Sequence, residues 1–417
     1  MQDLTITAVG AQGDGLARLP DGKPAFVPLT LPGERVRARM DGARGELAEI
    51  LTASAERIDP ACRHFGVCGG CAFQHWAAEP YRAWKADQVR VQLSMEGLET
   101  EILAPFAAPP ASRRRVALHA RKIPKANGGG AQLGFKERRS WNLVPIAECP
   151  VTDPRIVAAL PALARLAEPF LEHPKSAPTL HVTLTGTGLD IDVTGVERKS
   201  GGLSADARMR AAMAASEGDF ARVTMAGETV YGARQPLVKL GQAIVALPPG
   251  SFLQAVPAAE RAMVAFAVAE AQGAARIADL YCGVGTFTFS LAEVGAVHAA
   301  EMNAPSIAAL KAAMGGVPGL KPIHAEARDL VKRPVLSTEL AKTDVVVIDP
   351  PRAGAAEQTV EIAKSKVAKV VSVSCNPATF AKDARTLVET GFRLKKVLPV
   401  DQFVWSPHIE VVGVFTR

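Results

Sequence analysis

The alternation of apolar and polar positions changes character three times along the chain. Residues 1 to about 55 carry short alternating runs, "LTITAVG", "PAFVPLT", "ERVRARM" and "GELAEIL", separated by Gly-Asp-Gly, Asp-Gly-Lys-Pro and Pro-Gly-Glu. A period of two puts apolar side chains on one face of a strand. Four or five short strands with tight turns therefore predict a small OB-like β-barrel, and on pattern alone a β-module with no ligand fits equally well. A helix follows in "PYRAWKADQVRVQLSM". Between 100 and 235 strand-like segments ("RRRVALHARKI", "QLGFKERR", "LHVTLTG", "GLDIDVTG") surround an Ala-rich helical stretch near 154 to 169, and "NGGG" at 127 to 130 reads as a hairpin turn. From about 240 helices and strands alternate. "KTDVVVIDPP" and "VAKVVSVSCNP" are continuously apolar, as parallel strands covered on both faces are. The fold class is thus α/β: an N-terminal barrel (1–55), a central α+β domain (56–235) and a C-terminal doubly wound, Rossmann-like domain (236–417), with its ligand at the carboxyl ends of the strands.

Those strand ends carry the candidate chemistry. "DLYCGVGTF" (279–287) is a strand running into Gly-x-Gly before a helix, a turn that admits a ligand to the backbone. Phe287 and Thr288 stand where a dinucleotide fingerprint has its third glycine, so nicotinamide is disfavoured. Glu301 ends the next strand, "AVHAAE", where a carboxylate accepts from both hydroxyls of a ribose, and Asp349 opens "DPPR" at the end of a fourth strand. In this order they favour S-adenosylmethionine over the alternative of solvated strand-end acids. Cys375 follows "VVSVS" at the same rim, where a thiol is either a nucleophile or a small buried hydrophobe. Glu410, just before "VVGVF", tips the balance towards chemistry. A thiolate, a base and a methyl donor together describe methylation at C5 of uracil: the thiolate adds at C6, C5 takes the methyl group, and the base removes the C5 proton.

"GSFLQ", "DLYCGVGTF", "DPPRAG", "SVSCNPATFAKD" and "PHIEVV" occur in an order that resembles the S-adenosylmethionine-dependent RNA 5-methyluridine methyltransferases. Residues 1 to about 55 resemble that family's TRAM domain, so the likeness spans nearly the whole chain. It implies a class I methyltransferase domain, cofactor contacts at Gln254, Tyr281, Glu301 and Asp349, Cys375 as nucleophile and Glu410 as base. It also implies a central domain that is discontinuous in many members, with the helix near 80 to 95 packing on the catalytic part. Val256 and Thr286 depart from the family pattern, where asparagine is frequent.

The remaining cysteines and the net charge bear on partners. Six cysteines in 417 residues, three of them in "CRHFGVCGGC", read as metal ligands or catalytic thiols of a cytoplasmic protein rather than a disulfide frame. Cys62, Cys68, Cys71 and the distant Cys149 suit a structural zinc or a [4Fe-4S] cluster. The absence of paired C-x2-C motifs speaks against zinc, and the spacing resembles the iron-sulfur branch that acts on 23S ribosomal RNA. The three-residue first gap of radical enzymes is missing, so the cluster is expected to stay outside methyl transfer. His64 and His75 are expected to be structural or solvent-facing. A net charge of +6 raises the prior for a polyanion. Arg113, Arg114, Arg115, Arg121, Lys122, Lys125, Lys136, Arg138 and Arg139 are the densest basic region, read as a phosphate-binding face or a solvated edge. Phe73, Trp76, Phe135 and Trp141 are candidates for base stacking or core packing.

RNA is the expected partner, 23S ribosomal RNA first and the tRNA T-loop second, with neither DNA nor membrane, and a monomer favoured. A noncatalytic iron-sulfur RNA-binding factor is the rival from another class. No signal peptide is expected, since no positively flanked apolar stretch opens the chain, and no membrane span, since the most apolar stretch, near 262 to 278, is broken by Glu270, Gln272 and Arg276.

Overall fold

The structure is a computed structural model and describes residues 1–197 and 202–417. Near the N-terminus six strands form one sheet in the order Gln2–Thr5, Arg35–Asp41, Arg44–Thr52, Pro24–Pro28, Asp14–Arg18, Ala8–Val9. The two edge strands are successive parts of one chain segment, and Thr7 N donates to Leu16 O between them at 2.8 Å. The sheet therefore curls around Leu4, Ile6, Val27 and Val36 as a barrel. The Gly-Asp-Gly read as a turn is divided: Gly13, at φ +82°, turns, while Asp14 and Gly15 open a strand. Gly15 is needed there because a Cβ would lie 2.0 Å from Thr30 Oγ1.

A second, seven-stranded sheet runs Leu143–Pro145, Ala131–Lys136, Arg115–Lys122, Thr179–Thr185, Gly188–Thr194, Arg222–Met225, Glu228–Gly232. The "NGGG" turn closes the hairpin between Arg115–Lys122 and Ala131–Lys136, its glycines at positive φ. The helix Ala205–Glu217 was not predicted by the pattern. Its buried stripe is Ala207, Ala211 and Ala215, too weakly apolar to register as a period, and Ser204 caps it by accepting from Ala207 N at 3.1 Å.

The C-terminal sheet runs Ile323–Ala327, Ala296–Glu301, Arg276–Leu280, Val345–Ile348, Lys369–Ser374, Glu410–Thr416, Arg393–Asp401, the first five parallel and the last two antiparallel. Val345–Ile348 is buried throughout because both faces are covered. Val347 packs with Met263, Phe289 and Leu310 on one face, and its neighbour Val346 with Phe380, Leu387 and Val411 on the other. Two short stretches from much earlier in the chain, Glu101–Ile102 and Phe106–Ala107, pair with Arg393–Asp401. The helix Ala78–Met95 inserts Val89 and Leu93 into the second face's core. Among the described residues no helix is long and apolar enough to cross a membrane.

Candidate active site

Adjacent parallel strands end side by side, which brings Tyr281, Glu301, Asp349 and Cys375 to one rim. Ser374 pairs with Val411, so Cys375 and Glu410 leave the ladder between their strands at the same end. The helix Pro377–Glu389 that follows Cys375 is fixed by Asn376, whose side chain accepts from Ala378 N at 3.2 Å, and by Pro377 in its first turn.

Glu301 is tied to the glycine turn: its carboxylate accepts from Gly283 N at 3.2 Å and Asn303 N at 2.8 Å. Tyr281 sits at φ +62°, a backbone region costly for a residue with a side chain, and its buried hydroxyl has no hydrogen-bond partner among the described residues. Beneath the turn Asp279 is fully buried; Oδ2 accepts from Thr288 Oγ1 at 2.5 Å, whereas Oδ1 is unpartnered among the described residues. Burial pushes its carboxyl up to about 7 against that hydrogen bond. Orphaned buried polar atoms at a glycine turn fit a bound polar ligand. Asp279 lay inside a quoted motif and went unassigned; its signal was a charged residue in an otherwise apolar strand.

A chain of amides and acids crosses the other half of the rim. Gln254 Nε2 donates to Asp349 Oδ2 at 2.9 Å. Gln402 Nε2 donates to both Gln254 Oε1 and Glu410 Oε1 at 2.8 Å, and its Oε1 accepts from Ala255 N at 3.0 Å. Burial raises Asp349 to about 7, opposed by the Gln254 bond. Burial, then the Asp349 charge, raises Glu410 to about 8, opposed by Gln402. Cys375 is pushed up to about 11 by burial, then by Glu410 and Asp349, with Arg352 opposing. Gln402 was missed because a glutamine in a loop has no titration and no motif to mark it.

Gln254, Gln402, Cys375 and Glu410 line one cavity of about 570 Å³, which Tyr281, Glu301 and Asp349 do not line. Cys62, Cys68, Cys71 and Cys149 border the same cavity. Burial raises Cys71 to about 12, opposed by a hydrogen bond with Gln74 and reinforced by the charges of Cys149, Cys68 and Cys62. Among the described residues no set of three or more His, Cys, Asp or Glu is arranged to hold a metal ion. His75 is buried with both ring nitrogens unpartnered among the described residues, and His64 Nε2 accepts from Ala147 N at 3.4 Å.

Several basic and aromatic candidates lie elsewhere than a phosphate-binding face requires. Arg114 is buried, ion-paired with Glu260, and donates to Gln254 O at 3.0 Å, so it braces the site. Arg113 lies over Phe403 and Arg115 over Phe252, both at the cavity. Arg138 and Arg139 pair with Asp14 of the barrel at 3.0 and 2.7 Å. Phe73 and Trp76 are core residues packed with Tyr81 and Trp84. Trp141 is 86% exposed with Lys136 Nζ 3.7 Å from its ring centre, and remains free to stack. The aromatic core grips the loop before Glu410: Trp405 O accepts from Ala72 N (2.7 Å) and Phe73 N (3.2 Å), Tyr81 hydroxyl donates to Asp401 Oδ2 (2.7 Å), and Lys85 Nζ to Asp401 Oδ1 (2.9 Å).

Comparison with known proteins decides the family. The tRNA (uracil-5-)-methyltransferase family matches residues 241–417 and the TRAM domain residues 1–48. An uncharacterized RNA methyltransferase of Caulobacter vibrioides is 85% identical over the full length of both chains. The 23S rRNA (uracil(1939)-C(5))-methyltransferase RlmD of Halomonas elongata is 32% identical over 98% of this chain and 88% of its own. The chain belongs to the RNA uracil-5-methyltransferases. It is an S-adenosylmethionine-dependent enzyme acting on RNA, with a TRAM domain at its N-terminus. A likeness over 100% of both chains to the crystal structure of Pyrococcus abyssi tRNA (uracil-54, C5)-methyltransferase, with S-adenosyl-L-homocysteine, has a TM-score of 0.68 at 21% identity and supports the fold.

Proposed function

We propose that the protein methylates C5 of a uridine in 23S ribosomal RNA, with Cys375 as nucleophile and Glu410 as base. The observation that carries this reading is the meeting of Cys375 and Glu410 at one cavity, with Glu410 linked through Gln402 and Gln254 to Asp349. The Cys375 thiolate adds to C6 of the uracil and the C5=C6 electron pair moves to C5. S-adenosylmethionine, when bound, supplies an electrophilic methyl group on sulfur, and C5 takes it. Glu410 then removes the C5 proton, the double bond re-forms and Cys375 leaves as thiolate. Gln254, Tyr281, Glu301 and Asp349 would hold the cofactor; the buried, unpartnered Tyr281 hydroxyl and the Glu301 carboxylate at the glycine turn support that role. In the cell the reaction belongs to the cytoplasm, where ribosomal RNA is made.

Cys62, Cys68, Cys71 and Cys149 would ligate a [4Fe-4S] cluster. A [4Fe-4S] cluster is held by four cysteine thiolates, and the presence of all four cysteines at the border of one cavity supports this reading. Cys71 adjoins Ala72, which holds Trp405, so the cluster would sit on the wall of the reaction cavity and brace it without taking a chemical step in methyl transfer. The three larger sheets support a division into 1–55, 56–235 and 236–417, with residues 78–107 of the central stretch joining the C-terminal sheet and its core, and a fourth, two-stranded sheet, Leu237–Leu240 with Ala243–Ala246, near the start of the last part.

Nucleoside mass spectrometry after incubation of the anaerobically prepared protein with S-adenosylmethionine and either unmodified 23S ribosomal RNA or unmodified tRNA tests the reading. 5-Methyluridine in ribosomal RNA alone is the expected result. 5-Methyluridine in tRNA alone would overturn the substrate, in line with the family's tRNA-directed members.

A further inference from the structure

Cys375 borders a second cavity, of about 190 Å³, on the far side of residues 407–409. Gln12 of the barrel, Gln88 and Gln92 of the helix Ala78–Met95, Arg352, Asn376 and His408 form its walls. Gln88 and Gln92 are four residues apart and therefore neighbours on one helix face. Both are half-buried, and neither side-chain amide has a hydrogen-bond partner among the described residues. The Arg352 guanidinium is exposed and makes no ion pair among the described residues. Asn376, by contrast, is committed to its helix and to Arg352 O.

The reacting uracil does not belong in this cavity. Thiol addition at C6 and proton removal at C5 need Cys375 and Glu410 on the same ring, and Glu410 lines only the larger cavity. Cys375 and His408 alone are shared between the two, so the smaller cavity opens one short step from the reacting ring. Primary amides present a donor and an acceptor side by side, which suits the hydrogen-bonding edge of an unpaired base. An unpaired guanidinium beside them suits a phosphate.

Resting on the uridine methylation proposed above, we infer that this cavity receives the nucleotide adjoining the target uridine: Gln88 and Gln92 read its base, and Arg352 holds the phosphate between the two. The enzyme then selects its site partly by sequence next to the uridine, through Gln88 and Gln92, which neither touch the reacting ring nor lie in the signature motifs.

The test uses the full-length protein and 23S ribosomal RNA transcripts carrying each of the four bases at the positions before and after the methylated uridine. Methylation of the parent transcript by the wild type checks the underlying reaction on its own. Given that reaction, wild type is expected to discriminate among bases at one of the two positions by about tenfold in kcat/KM. Gln88→Ala/Gln92→Ala, on a half-exposed helix face, should erase that discrimination, with the loss falling in KM rather than kcat. Arg352→Ala should lower the slope of log affinity against log salt by about one. Discrimination unchanged in the double variant, or an unchanged salt slope in Arg352→Ala, would overturn the inference while leaving the uridine chemistry standing. Discrimination unchanged with a collapse in kcat alone would place the target base itself against the glutamines and overturn it equally.

Discussion

The rim of the parallel sheet and the wall facing it solve opposite problems. On the rim Asp279, Asp349 and Glu410 are buried carboxyls raised to about 7, 7 and 8, and Asp279 and Tyr281 keep polar atoms unpartnered. In the wall, residues 72–85 against 401–408, one network is complete, since Tyr81, Lys85, Asp401 and the Trp405 backbone satisfy one another, while Gln74 Oε1 and the His75 ring nitrogens beside it have no partner among the described residues. Under-satisfied groups are costly and stay available to a ligand, whereas a completed network mainly fixes position. Gln402 joins the two, because it adjoins Asp401 in the wall and donates to Glu410 on the rim.

If that contrast holds, rim substitutions remove chemistry and leave the fold, and wall substitutions do the reverse. Cys375→Ala is expected to lower kcat by about 10⁴-fold or more with an unchanged melting temperature, measured by methyl incorporation and calorimetry. Lys85→Met leaves Asp401 buried without its cation and should cost about 3 kcal/mol in denaturant unfolding. Gln402→Leu removes the donor that favours the Glu410 carboxylate; kcat should fall about tenfold, and the rise of activity with pH should move to higher pH. A further effect is on the unliganded protein's own stability. The rim carboxyls have folded pKa values above their unfolded ones, so their stabilising contribution is complete below about pH 4 and is lost as pH rises through about 7 to 8. Neutralising all three, as Asp279→Asn/Asp349→Asn/Glu410→Gln, should flatten that part of a melting temperature against pH curve.

The two regions also differ in how far the sequence disclosed them. Rim residues sit at the ends of continuous apolar strands, and strand-turn-helix patterning within some ten residues locates Tyr281, Glu301, Asp349 and Cys375 along one edge. The wall depends on pairs such as Tyr81 with Asp401, 320 residues apart, and no local period encodes such a contact. Arg114 shows the converse error. In sequence it belongs to a basic run that suggests phosphate, yet a buried partner 146 residues away, Glu260, turns it inward. The alanine-striped helix Ala205–Glu217 escaped for a third reason: alanine satisfies helical packing without supplying a hydrophobic period.

The most direct test of the chemistry uses Glu410→Gln with ribosomal RNA and methyl-labelled S-adenosylmethionine on a denaturing gel. Methyl transfer without proton removal should leave a labelled protein-RNA species, absent when Cys375→Ala is added. Normal turnover by Glu410→Gln with no trapped species, or a species that survives loss of Cys375, would contradict the assignment of nucleophile and base.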